Sequence, residues 1–210
     1  MLTLAAVAAD PDLATYPFDL AHGGRVMVRP LTGDDVDALA AFLSGLSPQT
    51  RHFSIFPSYD HAGAQALCDA INRYDKLRFV VEVAGVAEVI GLIEFSFGIP
   101  AGDVARYASY GTALDEATDC RFGPTLADAY QNRGLGSTIF PCVVDVARRF
   151  GKTRILLWGG VLAENSRALR FYAKQGFRTV GRFVDDGGEE LLDMLWEEDA
   201  VMAKWGLLAE

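Results

Sequence analysis

The 210-residue sequence predicts a mixed α/β (α+β) domain, and three observations predict it. Half of its residues are apolar, enough for one substantial core, because domains commonly run to about 100–200 residues. Short alternating or wholly apolar runs have the period of strands, and the runs between them repeat their apolar residues at helical spacing. Across the second half the two kinds alternate as strand, helix, strand, helix, strand, which implies layered packing with at least one parallel pair.

Met1 to Ala9 is apolar, but it lacks a basic region and meets Asp10 and Pro11 too soon for a secretory leader. Met1 to Ala9 therefore read as a poorly ordered or packed N-terminus, and residues 1–22 as an N-terminal extension. Arg25 to Leu31 alternates and predicts a strand. Thr32 is placed to cap the helix that follows, with Asp34 and Asp35 at its positive end and Val36, Leu39, Ala40 and Leu43 on one face. Ser47-Pro48 opens another helical or loop segment, and His61 to Ile71 reads as a helix. Two strands, Phe79 to Val83 and Val89 to Phe97, are joined by a turn around Gly85.

Residues 98–118 carry Gly98, Pro100, Gly102 and Gly111 with little periodicity. They predict a long excursion between strands, of a kind that is often functional. Cys120 to Leu126 predicts a strand with a bulge or bend at Gly123-Pro124. Ile139, Phe140, Val143, Val144, Ala147 and Phe150 form a helical stripe ended by Gly151, and Pro141 within it predicts a later start or a kink. Then come a buried strand from Arg154 to Val161, a helix from Asn165 to Gln175 stopped by Gly176, and strands over Arg178 to Val184 and Glu190 to Trp196. One domain over 23–200 with a tail at 201–210 accounts for the chain.

The formal charge is −9, which argues against an open nucleic-acid surface. Residues 131–174 depart from it, with eight Arg or Lys against two acids, net +6, leaving −15 elsewhere. Either a local anion site or solvated basic helix faces explain that contrast. No apolar run approaches the roughly 20 residues that cross a bilayer, so no membrane partner is expected. Cys68, Cys120 and Cys142 do not all pair and have no metal spacing, which points to a reducing cytoplasm. His22, His52 and His61 are scattered, and no metal is expected.

The most specific local feature is Gln131-Asn-Arg-Gly-Leu-Gly-Ser137, between a predicted strand and a predicted helix. Glycines there let ligand oxygens approach the backbone, and the unpaired amides of a first helical turn favour phosphate. A dinucleotide fingerprint starting at Gly134 requires a small residue where Ile139 stands, and a P-loop ending in Gly151-Lys152-Thr153 requires glycine where Val146 stands. The remaining pattern is Gln-x-x-Gly-x-Gly before a helix, for which a plain tight turn is the alternative.

About 30 residues on comes Asn165-Ser-Arg-Ala-Leu-Arg-Phe-Tyr-Ala-Lys-Gln-Gly-Phe177. With both segments in order, residues 119–180 resemble the GNAT superfamily of N-acyltransferases, whose acyl-CoA turn reads Gln/Arg-x-x-Gly-x-Gly/Ala and whose next helix reads Asn-x-x-Ala-x-x-x-Tyr-x-x-x-Gly-Phe. Leu46 to Phe56 is also similar to GNAT domains of bacterial protein-lysine acetyltransferases, departing from them at Ser54, where an arginine is expected. The resemblance implies a central mixed, mostly antiparallel sheet with a splayed parallel pair, flanked by helices.

It also implies roles. Gln131, Asn132, Arg133, Gly134, Leu135, Gly136 and Ser137 would hold the CoA pyrophosphate, and Leu126 or Ala127 would offer an amide to the acetyl oxygen. Asn165 would bond the pantetheine arm and is equally placed as a helix cap. Tyr172 would protonate the leaving thiolate and is equally placed as a core tyrosine. Arg121 stands where protein-lysine relatives carry a base glutamate, so Asp119 or Glu94 is the substitute candidate. Presenting a lysine-like amine uncharged at neutral pH costs roughly 4.6 kcal/mol, an α-amine only about 1.3.

Acetyl transfer from acetyl-CoA to a primary amine in a ternary complex is the expected function, with a non-catalytic acyl-CoA sensor as the alternative. The expected partners are acyl-CoA and an amine acceptor, a small molecule or a protein lysine, with a homodimer left open. Phe97, Tyr107 and Tyr110 are candidates to line an acceptor pocket.

Overall fold

The computed structural model describes residues 1–20, 23–71, 75–86 and 88–198; His22 and the tail at 201–210 lie outside them. Along these residues the chain forms α1 (Leu4–Ala9), β1 (Tyr16–Asp19), β2 (Arg25–Pro30), α2 (Val36–Gly45), α3 (Pro48–His52) and α4 (His61–Asp69). It continues as β3 (Lys76–Val83), β4 (Val89–Ser96), α5 (Ala101–Ser109), β5 (Asp119–Leu126) and α6 (Leu135–Arg149). The last elements are β6 (Arg154–Leu157), β7 (Val161–Leu162), α7 (Ser166–Gln175), β8 (Arg178–Val184) and β9 (Glu190–Glu197). Among the described residues no helix is long and apolar enough to cross a membrane. The chain divides into two compact units, residues 2–95 with 123–146, and residue 1 with 96–122 and 147 onward.

In the first unit the strand order is β1-β2-β3-β4, followed by the second half of β5. β1 and β2 pair antiparallel, as do β2 and β3. Val26 and Val28 of β2 are buried while the residues between them are less so, which is the period of a strand with one face on a core. That core joins Leu39, Phe42 and Leu43 of α2 to Leu67 of α4, Val80 of β3 and Leu92 of β4. α2 starts later than expected, because a 3₁₀ turn, Gly33–Asp35, stands between it and Thr32; the Asp35 carboxylate accepts from both the amide and the hydroxyl of Thr32, and Arg29 holds the same carboxylate with two guanidinium nitrogens.

Residues 1–20 are ordered. α1 is capped by the Thr3 hydroxyl, and β1 pairs over its whole length with β2. Tyr16 of β1 also donates to Asp145 of α6 at 2.7 Å. Pro17 falls in an edge strand, where the missing N–H leaves no ladder bond unmade.

In the second unit the first half of β5 runs parallel to β6, from Asp119 beside Arg154 to Phe122 beside Leu157. β9 pairs antiparallel with β6, β7 and β8. The sheet is thus mixed and mostly antiparallel with one parallel pair, flanked by helices, the class expected.

Two readings of the sequence require correction. The excursion over 98–118 is not structureless, because its middle is α5. The buried strand expected over Arg154 to Val161 is two strands, β6 and β7, broken where Gly159 and Gly160 take φ of 73° and 79°, a left-handed conformation that ends a ladder and suits glycine. Two stop signals read as expected: Gly151 and Gly176, at φ 77° and 97°, follow the ends of α6 and α7. α6 starts at Leu135, so Pro141 lies inside it and removes the N–H that would have met the Ser137 carbonyl.

Candidate functional site

β5 of the first unit ends in a locked geometry. The Ala127 amide donates to the Ile90 carbonyl of β4 at 2.8 Å. Successive residues of a strand direct their backbone groups to opposite edges, so the Leu126 peptide groups face away from β4. The carbonyl on that side is taken: Gln131 Nε2 donates to Leu126 O at 2.7 Å. Ala127 therefore has no amide to spare, and of the two expected donors to an acyl oxygen only Leu126 retains the geometry. Gly91 of β4 permits this close packing, since a Cβ there would stand 2.6 Å from the Leu126 side chain.

The glycine turn continues from this anchor. Asp128 to Tyr130 form a short 3₁₀ turn, then Asn132 and Gly134 take positive φ of 58° and 84°. α6 begins at the next residue, Leu135, whose side chain is buried. Gly134 stands just before the first turn and has no side-chain oxygen with which to cap it. The Leu135 and Gly136 amides precede the first possible intrahelical acceptor, and the helix dipole adds partial positive charge there. Asn132, Arg133 and Gly134 are exposed. This combination of bare amides, a positive helix end and an exposed arginine suits an anionic oxygen.

A network that the sequence did not reveal supports the turn. Asp128 accepts from the Ser47 amide at 2.9 Å, the Ser47 hydroxyl at 2.6 Å and the Thr50 hydroxyl at 2.7 Å. Burial pushes the Asp128 carboxyl up, but these donors together outweigh it and hold it below the usual carboxylate range. Gln131 Nε2 also donates to Thr50 Oγ1 at 3.2 Å. Its trace in the sequence was the Leu46–Phe56 segment, read as a helix start and as similar to the GNAT domains of protein-lysine acetyltransferases, with no role assigned to Ser47, Thr50 or Asp128.

In the second unit, Asn165 caps α7 by accepting from the Ala168 amide at 3.1 Å. That use occupies its Oδ1 and leaves its NH₂ group as a donor. Tyr172 is 7 % exposed and packs against Phe171 and Phe177, with centroids 5.1 and 5.3 Å away. Burial alone raises its phenol pKa well above the usual value, so it is a neutral, proton-bearing group at pH 7.

The two candidate bases are both held by arginines. Asp119 is fully buried, and Arg154 reaches its two oxygens at 2.5 and 2.6 Å while the Asp115 amide adds a third donor at 2.7 Å. Glu94, in the first unit, receives Arg78 Nε at 2.7 Å, and both side chains are largely buried. Arg121 donates to Ser96 Oγ at 2.7 Å and to Gly98 O, and its guanidinium lies 4.7 Å from the Trp158 ring centroid.

The aromatics expected at an acceptor pocket serve packing instead. Phe97 stacks on Phe150 at 4.3 Å, Tyr107 is buried in the α5 core, and Tyr110 covers Gly181, where a Cβ would come within 2.3 Å of its ring. All three cysteines are free and buried, and burial pushes their thiols up to about 11 for Cys68 and about 12 for Cys120 and Cys142. Such thiols are poor nucleophiles at neutral pH. Among the described residues no group of three or more His, Cys, Asp or Glu side chains is arranged to hold a metal ion.

Residues 25–178 match the model of the acetyltransferase (GNAT) domain family. Acetyltransferase PA5475 of Pseudomonas aeruginosa is 34% identical over 132 residues, which span 63% of this chain and 64% of that protein. The match thus covers less than two thirds of that relative's length. Among solved structures, the GNAT domain of S. lividans PAT superposes with a TM-score of 0.69 at 22% identity, covering 89% of this chain and 98% of that one. AAC(6')-Ib, in complex with ribostamycin and coenzyme A, superposes with a TM-score of 0.65 at 20% identity, covering 84% and 95%.

Proposed function

Because the chain belongs to the acetyltransferase (GNAT) domain family, we propose that it transfers an acetyl group from acetyl-CoA to a primary amine. The carrying observation is the start of α6, where Gly134 has no side chain with which to cap the Leu135 and Gly136 amides, beside a Leu126 peptide locked by Gln131. In this reading the Arg133–Ser137 segment holds the pyrophosphate and the Leu126 amide meets the thioester oxygen. The amine nitrogen attacks the thioester carbon, the carbon–sulfur bond breaks, the departing thiolate takes the Tyr172 phenolic proton, and the excess amine proton leaves to solvent. Burial keeps the phenol protonated at neutral pH, so the proton is there to be given. The raised thiol pKa values speak against a covalent acyl-cysteine. Three free cysteines agree with a reducing cytoplasm as the setting.

Asp119 and Glu94 are each engaged by an arginine, so in this reading deprotonation of the acceptor falls to the amine's own equilibrium with solvent. An amine with a low pKa is then favoured over a lysine-like one by the difference between roughly 1.3 and 4.6 kcal/mol. The test is calorimetric titration with coenzyme A, followed by thiol release from acetyl-CoA across a panel of amines of graded pKa. Binding with turnover that rises as amine pKa falls supports the reading. Tight binding without turnover on any amine favours the sensor, and no binding rejects both. Glu94→Gln and Asp119→Asn report on the base: a basic limb of the pH–rate profile that survives in both variants excludes them from proton abstraction.

A further inference from the structure

We infer that Thr50, with Asp128 behind it, is a positioning element for the thioester carbonyl; this rests on the acyl-CoA reading of the turn. The argument follows the hydrogen bonds of the first unit one proton at a time. The Thr50 side chain is 4 % exposed and its hydroxyl has a single proton, given to Asp128 Oδ1 at 2.7 Å. Its two lone pairs are thereby fixed in direction, and one accepts from Gln131 Nε2 at 3.2 Å. The other proton of that amide goes to Leu126 O at 2.7 Å. Both acceptors need an N–H, so the Gln131 amide has one orientation.

The Leu126 carbonyl and amide share the strand edge turned away from β4, as the Ala127-to-Ile90 bond on the other edge requires. A continuous chain therefore leads from the start of α3 through Asp128, Thr50 and Gln131 to the peptide at residue 126. The parts of this chain are tightly determined. Asp128 accepts from the amide and hydroxyl of Ser47 as well as from Thr50, and the Ser47 hydroxyl in turn accepts from the Thr50 amide at 3.2 Å.

The carboxylate thus fixes the first turn of α3 and the hydroxyl direction of Thr50 together. Removing that hydroxyl strands one Gln131 proton and one Asp128 lone pair, and frees the Gln131 amide to rotate. The bond to Leu126 then loses its fixed partner geometry. Preorganised donors act on developing oxyanions in proportion to how well they are held, so the loss falls on the thioester carbonyl and not on the grip of the pyrophosphate.

The experiment uses the full chain with acetyl-CoA labelled at its thioester carbonyl, read by isotope-edited infrared spectroscopy beside calorimetric titration with coenzyme A. In the wild type the bound carbonyl band lies below its position in free acetyl-CoA. Thr50→Val, close in shape but lacking the hydroxyl, loses about half or more of that shift while coenzyme A affinity changes less than about twofold. Thr50→Ser restores the band. Asp128→Asn, which keeps the shape and weakens the acceptor, moves it in the same direction as Thr50→Val and serves where Thr50→Val fails to fold.

A wild-type band at the free position, or a Thr50→Val band coincident with the wild-type one, overturns the inference. So does a parallel loss of affinity and shift that Thr50→Ser does not rescue, since that is the mark of simple unfolding of the turn. Failure of the underlying reading is distinct: the wild type then binds no coenzyme A at all.

Discussion

Two helices of this chain begin after a strand in closely related sequence contexts, and they begin in opposite ways. α6 follows Gly134, which has a φ of 84° and no side chain with which to cap the first turn. α7 follows Asn165, whose Oδ1 accepts from the Ala168 amide at 3.1 Å. One helix start is held open and the other closed. On the proposed function the difference separates two uses of a helix: α6 would offer its backbone to an anion, whereas α7 would present side chains on a finished scaffold, Tyr172 chief among them.

The contrast breaks most severely at Gly134. Nothing lies within 4 Å of a Cβ built there, so Gly134→Asp is not excluded by crowding; it brings backbone strain and a carboxylate to the open helix end. Calorimetry should find coenzyme A affinity reduced by more than roughly 1,000-fold, to below detection. Unchanged affinity means that α6 does not use its open start.

Tyr172→Phe comes next and probes the helix that acts through its side chains. The kcat for acetyl transfer should fall by roughly 100-fold, with coenzyme A affinity unmoved. A variant as fast as the wild type returns Tyr172 to the role of a core residue.

Asn165→Ala sharpens the closed end. Loss of the cap should lower the stability to urea by about 1 kcal/mol, measured as a shift of midpoint at constant m-value. A stability equal to the wild type's would mean that the Asn165 cap contributes nothing.

The smallest effect concerns Asp128, which supports the open end. Its folded-state carboxyl pKa lies below the usual value near 3.9, so its stabilising contribution is fully present above that value and fades as pH falls through the folded one. Urea midpoints of the wild type and Asp128→Asn should differ at pH 6 and converge as the pH falls below the usual carboxylate range. Parallel curves over that range would contradict the depressed pKa.

The glycine turn was legible because its chemistry requires particular residues at fixed spacing, and Gly134, Gly151 and Gly176 all adopt the positive φ that their positions suggested. α5 was not legible, for a physical reason. Gly102 weakens its helical pattern, and the side chains that hold it are charged: Arg106 reaches Asp193 at 2.7 Å and Asp103 at 2.8 Å, and Arg121 stands 3.7 Å from Asp103. A helix of nine residues whose large apolar side chains are Val104 and Tyr107 gives too few positions from which to read a period. Likewise no local pattern pairs Asp119 with Arg154, 35 residues away, or Asp128 with Thr50, 78 residues away. The candidate bases looked available in sequence because their partners were distant in it. β1 escaped notice because it is four residues long, contains Pro17, and its inner face, Tyr16 and Phe18, is only half-buried.

The most direct test of the anion-holding turn is a proton–nitrogen NMR titration of the chain with coenzyme A. The amide signals of Gly134, Leu135 and Gly136 should move most and saturate with the calorimetric binding curve. Saturable binding that leaves those three signals in place would contradict the account.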